Sequence, residues 1–181
     1  MSKEIIKEIL TFWFEETKPE QQFKKDPEFD ELISSKFKET YWEIMDNKTK
    51  DWRDTPEGRL AEVIVLDQFA RNMFRDDKQA FAGDPLALKL AQEALSVGTD
   101  KEVPEDRRVF FYMPFMHSES KEVHEDALKI FTEHGNARNL DYEKKHKDII
   151  DRFGRYPHRN KVLRRESTPE ELEFLKDNPG F

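Results

Sequence analysis

The chain has 181 residues, of which 36% are hydrophobic and 39% charged, with a net charge of −8 and no cysteine. An acidic chain argues against binding to nucleic acid or an anionic membrane surface, which both need a basic face. The missing cysteines exclude disulfides, thiolate nucleophiles and cysteine zinc sites. The length suits a single domain, residues 1–181. With no apolar stretch long enough for a membrane span and no secretory leader, we expect a cytoplasmic protein.

Apolar residues in the first half recur at three- and four-residue steps, which predicts helices. These helices cover residues 3–16, 27–45, 55–74 and 85–97. Three of their starts combine an N-cap residue with proline at the first helical position, namely Asp26-Pro27, Thr55-Pro56 and Asp84-Pro85. The helix from Thr55 is the most apolar of the set.

The second half continues the helical pattern. Pro104 begins a short helix that we expect Pro114 to stop. The next helix is capped by Ser118 or Ser120 and ends at Gly135, and another covers residues 139–153 and ends at Gly154. A last short helix opens at Thr168, with Glu171 as its capping-box partner. No segment alternates with period two, so we predict an all-α fold of about eight helices packed as antiparallel pairs.

Polar residues interrupt the apolar face of the helix that covers residues 55–74. The apolar stripe through Leu60 and Ile64 continues to Asp67 and Arg71, and Gln68 flanks them. Asp67 and Arg71 are four residues apart, so they share one helix face, which is the buried one. They form either an internal ion pair that holds the helix packing or part of a ligand site.

A second set of polar residues follows the helix at 139–153. The stripe through Tyr142, Ile149 and Ile150 places His146 inward. The segment that follows is Arg152-Phe153-Gly154-Arg155-Tyr156-Pro157-His158-Arg159-Asn160, in which glycine ends the helix and proline stiffens the chain. From residue 144 to residue 165 nine lysines and arginines face two aspartates. Such a basic segment indicates an anionic ligand, or it docks on the acidic remainder of the chain.

A third set lies where the helix from Pro104 gives way to the next. Ser118 suits an N-cap and Glu119 suits the first turn of a helix, whereas His117 has no comparable structural role. A triad of Ser118, a histidine and Asp67 is weakly indicated, because no strand–turn–helix elbow supports it. Metal ligation is also weakly indicated, since no His-Glu-x-x-His motif occurs. We therefore expect no metal and no cofactor.

Four motifs, taken together and in order, resemble the bacterial family named "domain of unknown function 924". They are residues 65–75 (VLDQFARNMFR), residues 80–82 (AFA), residues 112–119 (YMPFMHSE) and residues 152–160 (RFGRYPHRN). The N-terminal Phe12-Trp13-Phe14 and the closing residues 167–171 also fit. The resemblance covers nearly the whole chain. It implies an all-helical fold similar to tetratricopeptide-type superhelices, and it implies no reaction.

Two functions are compatible with these residues. In the first, the three sets of polar residues meet to bind a small anionic molecule. Arginines clamp its negative charge, and His117 or His158 acts as the acid or base. The predicted catalytic residues are His117 and His158, and the predicted ligand-binding residues are Asp67, Gln68, Arg71, Glu119, His146, Arg152, Arg155 and Arg159.

In the second function the chain is a helical adaptor that binds a peptide or protein in a concave groove. This hypothesis predicts exposed aromatic side chains such as Trp42, Trp52 or Tyr156. It also predicts that the inward polar groups pair with one another.

Overall fold

A computed structural model describes residues 2–180, and the regular structure in this range is helical, with no β-strand. The α-helices are α1 (Ser2–Thr11), α2 (Pro19–Gln22), α3 (Pro27–Met45), α4 (Pro56–Ile64), α5 (Ala70–Met73), α6 (Asp84–Ser96), α7 (Glu105–Met116), α8 (Lys121–His134), α9 (Ala137–Phe153) and α10 (Pro169–Asp177). Two π-helical turns, Phe12–Glu16 and Val65–Phe69, continue α1 and α4, and four short 3-10 turns complete the pattern. The all-α prediction is confirmed.

Several helix starts follow the predicted capping chemistry. The Asp26 carboxylate accepts hydrogen bonds from two backbone N–H groups in the first turn of α3. The Thr55 hydroxyl accepts from the backbone N–H of Gly58 at the start of α4. Thr168 and Glu171 form the predicted capping box of α10, each side chain accepting from the other residue's N–H. Each cap satisfies backbone donors that have no partner within the helix.

Two predicted boundaries are wrong. Asp84 is not an N-cap, because α6 begins after Gly83 and the Asp84 carboxylate accepts hydrogen bonds from Arg71. Pro114 does not stop α7, which continues to Met116 with the proline inside it. A proline two residues before the helix end removes one backbone hydrogen bond, and the burial of Phe115 and Met116 offsets that loss.

The described residues divide into two compact units by their contacts. The first unit contains residues up to Arg75 together with Gln79–Pro114, and the second contains Asp76–Lys78 and the chain from Phe115 onwards. The prediction of a single domain over residues 1–181 stays a prediction, as does the tetratricopeptide-like arrangement. None of the described helices is both long and apolar enough to cross a membrane.

In the first unit, α4 and its π-helical turn lie at the centre of the core. Every residue from 60 to 70 is buried. The ring of Phe69 stacks on Phe37 at 4.9 Å between centroids and meets Phe12 and Trp13 edge-on at 5.8 and 5.4 Å. Because a segment buried on all sides has no solvent face, the polar residues in it, Asp67 among them, must find partners inside the protein.

In the second unit, α8 and α9 form an antiparallel pair. Lys121, at the start of α8, donates to the backbone oxygen of Asp151 near the end of α9 at 3.1 Å. One turn along, Lys147 lies 2.8 Å from the Glu125 carboxylate. For these two helices the predicted antiparallel packing is confirmed, and the loop that follows α9 carries three of the predicted site residues, Arg155, His158 and Arg159.

Candidate functional site

The polar residues of the first unit pair with one another. Asp67 and Gln68 are buried, and Gln68 Nε2 donates to Asp67 Oδ2 at 2.7 Å. Arg71 makes a bidentate contact with Asp84, at 2.9 and 3.0 Å, and also donates to the backbone oxygen of Asp67. Its guanidinium lies 3.6 Å from the Asp67 carboxylate. These contacts match the interpretation of Asp67 and Arg71 as part of an internal ion-pair network.

The loop after α9 is held in place at both ends. Gly154 adopts the left-handed conformation, with φ of 71°, that a glycine after a helix provides. Pro157 begins a short 3-10 turn that ends at Arg159. Between them Tyr156 is fully buried, and its hydroxyl donates to the backbone oxygen of Met116 at 2.5 Å. The side chains on this loop therefore project from a fixed backbone.

Two predicted ligand-binding arginines form ion pairs with α10. Arg155 donates to both carboxylate oxygens of Glu171, at 2.8 and 2.9 Å. This guanidinium, more than any other group, lowers the pKa of Glu171 to about 2. Arg152 pairs with Glu170 at 2.9 Å on the surface. The Arg155 pair joins α10 to the loop and the Arg152 pair joins α10 to the end of α9, so both arginines already have a partner within the protein.

Glu119 pairs with Arg165, which sequence reasoning did not single out. Arg165 makes a bidentate contact with the carboxylate at 2.8 and 2.9 Å, and the backbone N–H of Tyr156 donates to the same carboxylate at 2.7 Å. Burial opposes ionisation of Glu119, yet these donors hold its pKa below the usual value. Glu119 thus ties the residues before α8 to the loop after α9.

Three histidines surround the ring of Tyr156 and a fourth lies beside one of them. We call this group the histidine cluster: His117, His124, His146, His158 and Tyr156. The ring centroids of His158, His146 and His124 lie 5.5, 5.6 and 6.3 Å from that of Tyr156. His117 lies 6.4 Å from His146. His124 and His146 are buried, whereas His117 and His158 are half-buried. The predicted segments 117–119 and 146–159 therefore meet within the second unit.

His146 points inward, as the sequence predicts, and its environment keeps it neutral. Burial lowers its pKa to about 3, and the neighbouring histidines add to that effect. Nδ1 lies 2.7 Å from the backbone oxygen of Tyr142, an acceptor, so Nδ1 carries the hydrogen and Nε2 is an acceptor. The inward position predicted for Tyr142 is wrong, because its side chain is 40% exposed.

The most buried polar contact of the cluster joins His124 and Glu143, both fully buried. His124 Nδ1 lies 2.7 Å from Glu143 Oε1. Nε2 lies 2.8 Å from the backbone oxygen of Ser118, so it donates there, and it lies 3.0 Å from the hydroxyl of Tyr156. Burial raises the pKa of Glu143, and its second oxygen, Oε2, has no hydrogen-bond partner.

Sequence reasoning missed this pair, although one signal was present. His124, Ala127 and Phe131 are spaced three and four residues apart and share the buried face of α8. Glu143 precedes His146 by three residues on the buried face of α9. Helical spacing could have placed both polar groups inward, but it does not show that they meet.

Arg159 is the buried arginine of the loop. Its side chain is 7% exposed, and Nη2 donates to the backbone oxygen of His117 at 2.9 Å. The guanidinium also lies over the Tyr156 ring, 4.6 Å from its centroid, in a cation–π contact. A permanent positive charge therefore lies beside the half-buried His117.

Three further observations bear on the predicted functions. Among residues 2–180 no group of three or more potential ligands could hold a metal ion. Two surface cavities of about 490 and 350 Å³ adjoin α1, and no predicted site residue lines either of them. Of the aromatics expected on an adaptor surface, Trp42 is 42% exposed, but Trp52 and Tyr156 are buried. Binding of a protein partner stays a prediction.

Comparisons with known proteins place the chain in a family. A family model described as a bacterial protein of unknown function (DUF924) matches residues 9–179. The structure of a protein of unknown function, ATU0120 from Agrobacterium tumefaciens, is similar, with a TM-score of 0.93 and 37% sequence identity over 98% of this chain and 100% of that one. A comparison with curated proteins found no match. The chain belongs to the bacterial DUF924 family.

Proposed function

We propose that the second unit binds a small anionic molecule at the histidine cluster. One observation carries the proposal: two half-buried imidazoles, His117 and His158, belong to the same cluster, and the buried guanidinium of Arg159 contacts that cluster. Buried or constrained polar side chains gathered in one place are a recognised mark of functional sites.

The charge of these groups favours an anion. Arg159 keeps its positive charge at any ordinary pH, and imidazoles donate hydrogen bonds to carboxylate or phosphate oxygens. The nearby carboxylates of Glu119 and Glu143 already accept hydrogen bonds from Arg165 and His124. Both carboxylates therefore have partners within the protein, and we assign the ligand contacts to His117, His158 and Arg159.

His117 and His158 are also the groups suited to proton transfer. They reach solvent, whereas His124 and His146 are enclosed. Imidazole gains and loses protons near neutral pH, which general acid–base catalysis requires. For any reaction at this site we assign proton transfer to these two rings.

The proposal can be tested by thermal denaturation with sulfate, oxalate, phosphate and pyrophosphate, each against chloride at equal ionic strength. A ligand at about a hundred times its Kd adds about 2.7 kcal/mol, which corresponds to a Tm rise of about 5–10 °C in a protein of this size. We expect His117→Ala and His158→Ala to remove most of the rise.

The control is His134→Ala, which changes the fifth histidine, an exposed residue at the end of α8. This variant should keep the full anion-dependent rise. If no anion raises the Tm of the unmodified protein, or if His134→Ala removes the effect as completely as His158→Ala, the proposal is wrong.

A further inference from the structure

The histidine cluster concentrates titratable groups to an extent that a simple anion clamp does not need. Four of the five histidines belong to this cluster, three around Tyr156 and His117 beside His146. They come from separate parts of the second unit: the residue that follows α7, then α8, α9 and the loop after α9. Positive charge on His117, His124 or His158 disfavours protonation of His146, so the rings influence one another electrostatically.

The charged groups near the cluster include Lys147, which acts on Glu143, and arginines and carboxylates that contact residues of the cluster. Glu143 is hydrogen-bonded to His124, and the charge of His117 also acts on it. Arg159 contacts the backbone of His117, and Glu119 lies in its ion pair with Arg165. The same unit also contains Asp76 and Asp77. An anion placed at the two half-buried rings would add negative charge within a few ångströms of them.

Building on the proposed function, we propose that this site binds its anion together with protons, which are taken up by His117 and His158. Negative charge close to an imidazole favours the imidazolium form, and the effect is reciprocal, so each proton tightens anion binding. His146 stays neutral and supplies a fixed acceptor, because its Nδ1–H is committed to the backbone of α9. The site thereby acts as a proton-coupled anion receptor.

The coupling predicts a specific pH dependence. For each proton taken up, the affinity should rise about tenfold per unit fall in pH, over the range in which imidazoles titrate. Sulfate and oxalate are suitable probes because neither changes its own charge near neutral pH. Phosphate is unsuitable because its own protonation would contribute to the measured proton uptake.

The experiment is calorimetric titration of the protein with sulfate and with oxalate, in two amine buffers of different ionisation enthalpy, between about pH 6 and 8. We expect uptake of about one to two protons per bound anion. His117→Asn and His158→Asn should each reduce that number, and His134→Asn should not. A second readout needs no variant to fold: the NMR midpoints of the imidazole Cε1–H signals of His117 and His158 should move to higher pH when sulfate is added.

The outcomes separate this inference from the proposed function. If the anions bind with the same Kd at every pH and with no dependence on the buffer, the proton coupling is wrong and anion binding stands. If neither calorimetry nor thermal denaturation detects any anion at any pH, both are wrong. Unchanged Cε1–H midpoints in the presence of bound sulfate would also overturn the coupling.

Discussion

Glu143 and His124 form a hydrogen bond of 2.7 Å between α9 and α8, with both side chains fully buried. The imidazole extends this contact on its other side, through Nε2, to Ser118 and Tyr156. A chain of polar groups therefore crosses the helix pair and supports the tyrosine around which the histidines pack. Breaking a buried pair by removing one partner costs more than the pair contributes, because the remaining group is left without a hydrogen bond.

Glu143→Ala should lower the free energy of unfolding by about 3–5 kcal/mol. Glu143→Gln should cost less, because the amide oxygen can still accept a hydrogen bond from His124 Nδ1. Urea denaturation at neutral pH measures both. Glu133→Ala, at an exposed position of α8, is the control and should cost less than about 0.5 kcal/mol. Equal, small losses for Ala and Gln at position 143 would contradict the buried pair.

The Arg155–Glu171 pair should be more strongly coupled than the neighbouring Arg152–Glu170 pair. The Glu171 carboxylate is almost fully buried and held bidentately, whereas both partners of the second pair are exposed. Solvent screens exposed pairs, so their coupling is small. Double-mutant cycles on the two pairs, measured by urea denaturation, provide the comparison. A coupling for Arg152–Glu170 that equals or exceeds the other would show that Arg155 has no special structural function.

Glu171 should contribute to the decrease in the free energy of unfolding at acid pH. Its pKa in the folded protein is about 2, below the ordinary value of 4.5. A carboxyl with a lowered pKa stabilises the fold above the ordinary value, and that contribution is lost as the pH falls from about 4.5 to about 2. Glu171→Gln should therefore flatten the loss of stability in that window. An unchanged acid slope in this variant would argue against the ion pair.

Asp84 offers a test between a helix cap and an ion pair. If it capped α6, Asp84→Asn and Asp84→Ser would be nearly neutral, because both residues cap helices well. Since its carboxylate instead accepts two hydrogen bonds from Arg71, each substitution should cost about 1–3 kcal/mol. Thr55→Ser is the control, because it preserves the hydroxyl that caps α4. Thermal or urea denaturation distinguishes the two outcomes.

His146 should make the protein sensitive to mild acid. In the folded protein its pKa is about 3, against an ordinary value of 6.5. Between these two values only the unfolded chain binds the proton. The free energy of unfolding therefore decreases as the pH is lowered through that window, by at most about 1.4 kcal/mol per pH unit. Glu143, with a raised pKa, contributes in the opposite direction, so the comparison must be between variants.

His146→Phe should remove that contribution and give a shallower fall in stability between about pH 6.5 and 3. The phenyl ring can keep the packing on Tyr156 while it cannot be protonated. The measurement is urea denaturation across this pH range. A variant with the same slope as the unmodified protein would show that His146 accepts a proton normally in the folded state.

The helix starts show what local sequence can predict. Asp26, Thr55 and Thr168 cap their helices as expected, because the groups they bond lie two or three residues away in the chain. Asp84 has the same local pattern and behaves differently. Its partner, Arg71, lies in another helix, and a bidentate ion pair takes the carboxylate away from the backbone.

The site shows the corresponding limit for side chains. Helical spacing correctly predicts that His146 faces inward, but it predicts the same of Tyr142 and not of Glu143. The reason is that neighbouring positions differ by only about 100° around a helix. The sequence does not predict the pairing of His124 with Glu143, because nothing near His124 indicates a partner that lies nineteen residues away.

The sequence by itself determined the helical class, most helix boundaries and the segments that carry inward polar residues. These depend on periodicity and on contacts within a single turn. Only the tertiary structure decided which carboxylate meets which cation: Glu171 meets Arg155 and Glu119 meets Arg165, across 16 and 46 residues of chain. Such pairings arise from helix packing in three dimensions, and a local pattern of residue types carries no information about it.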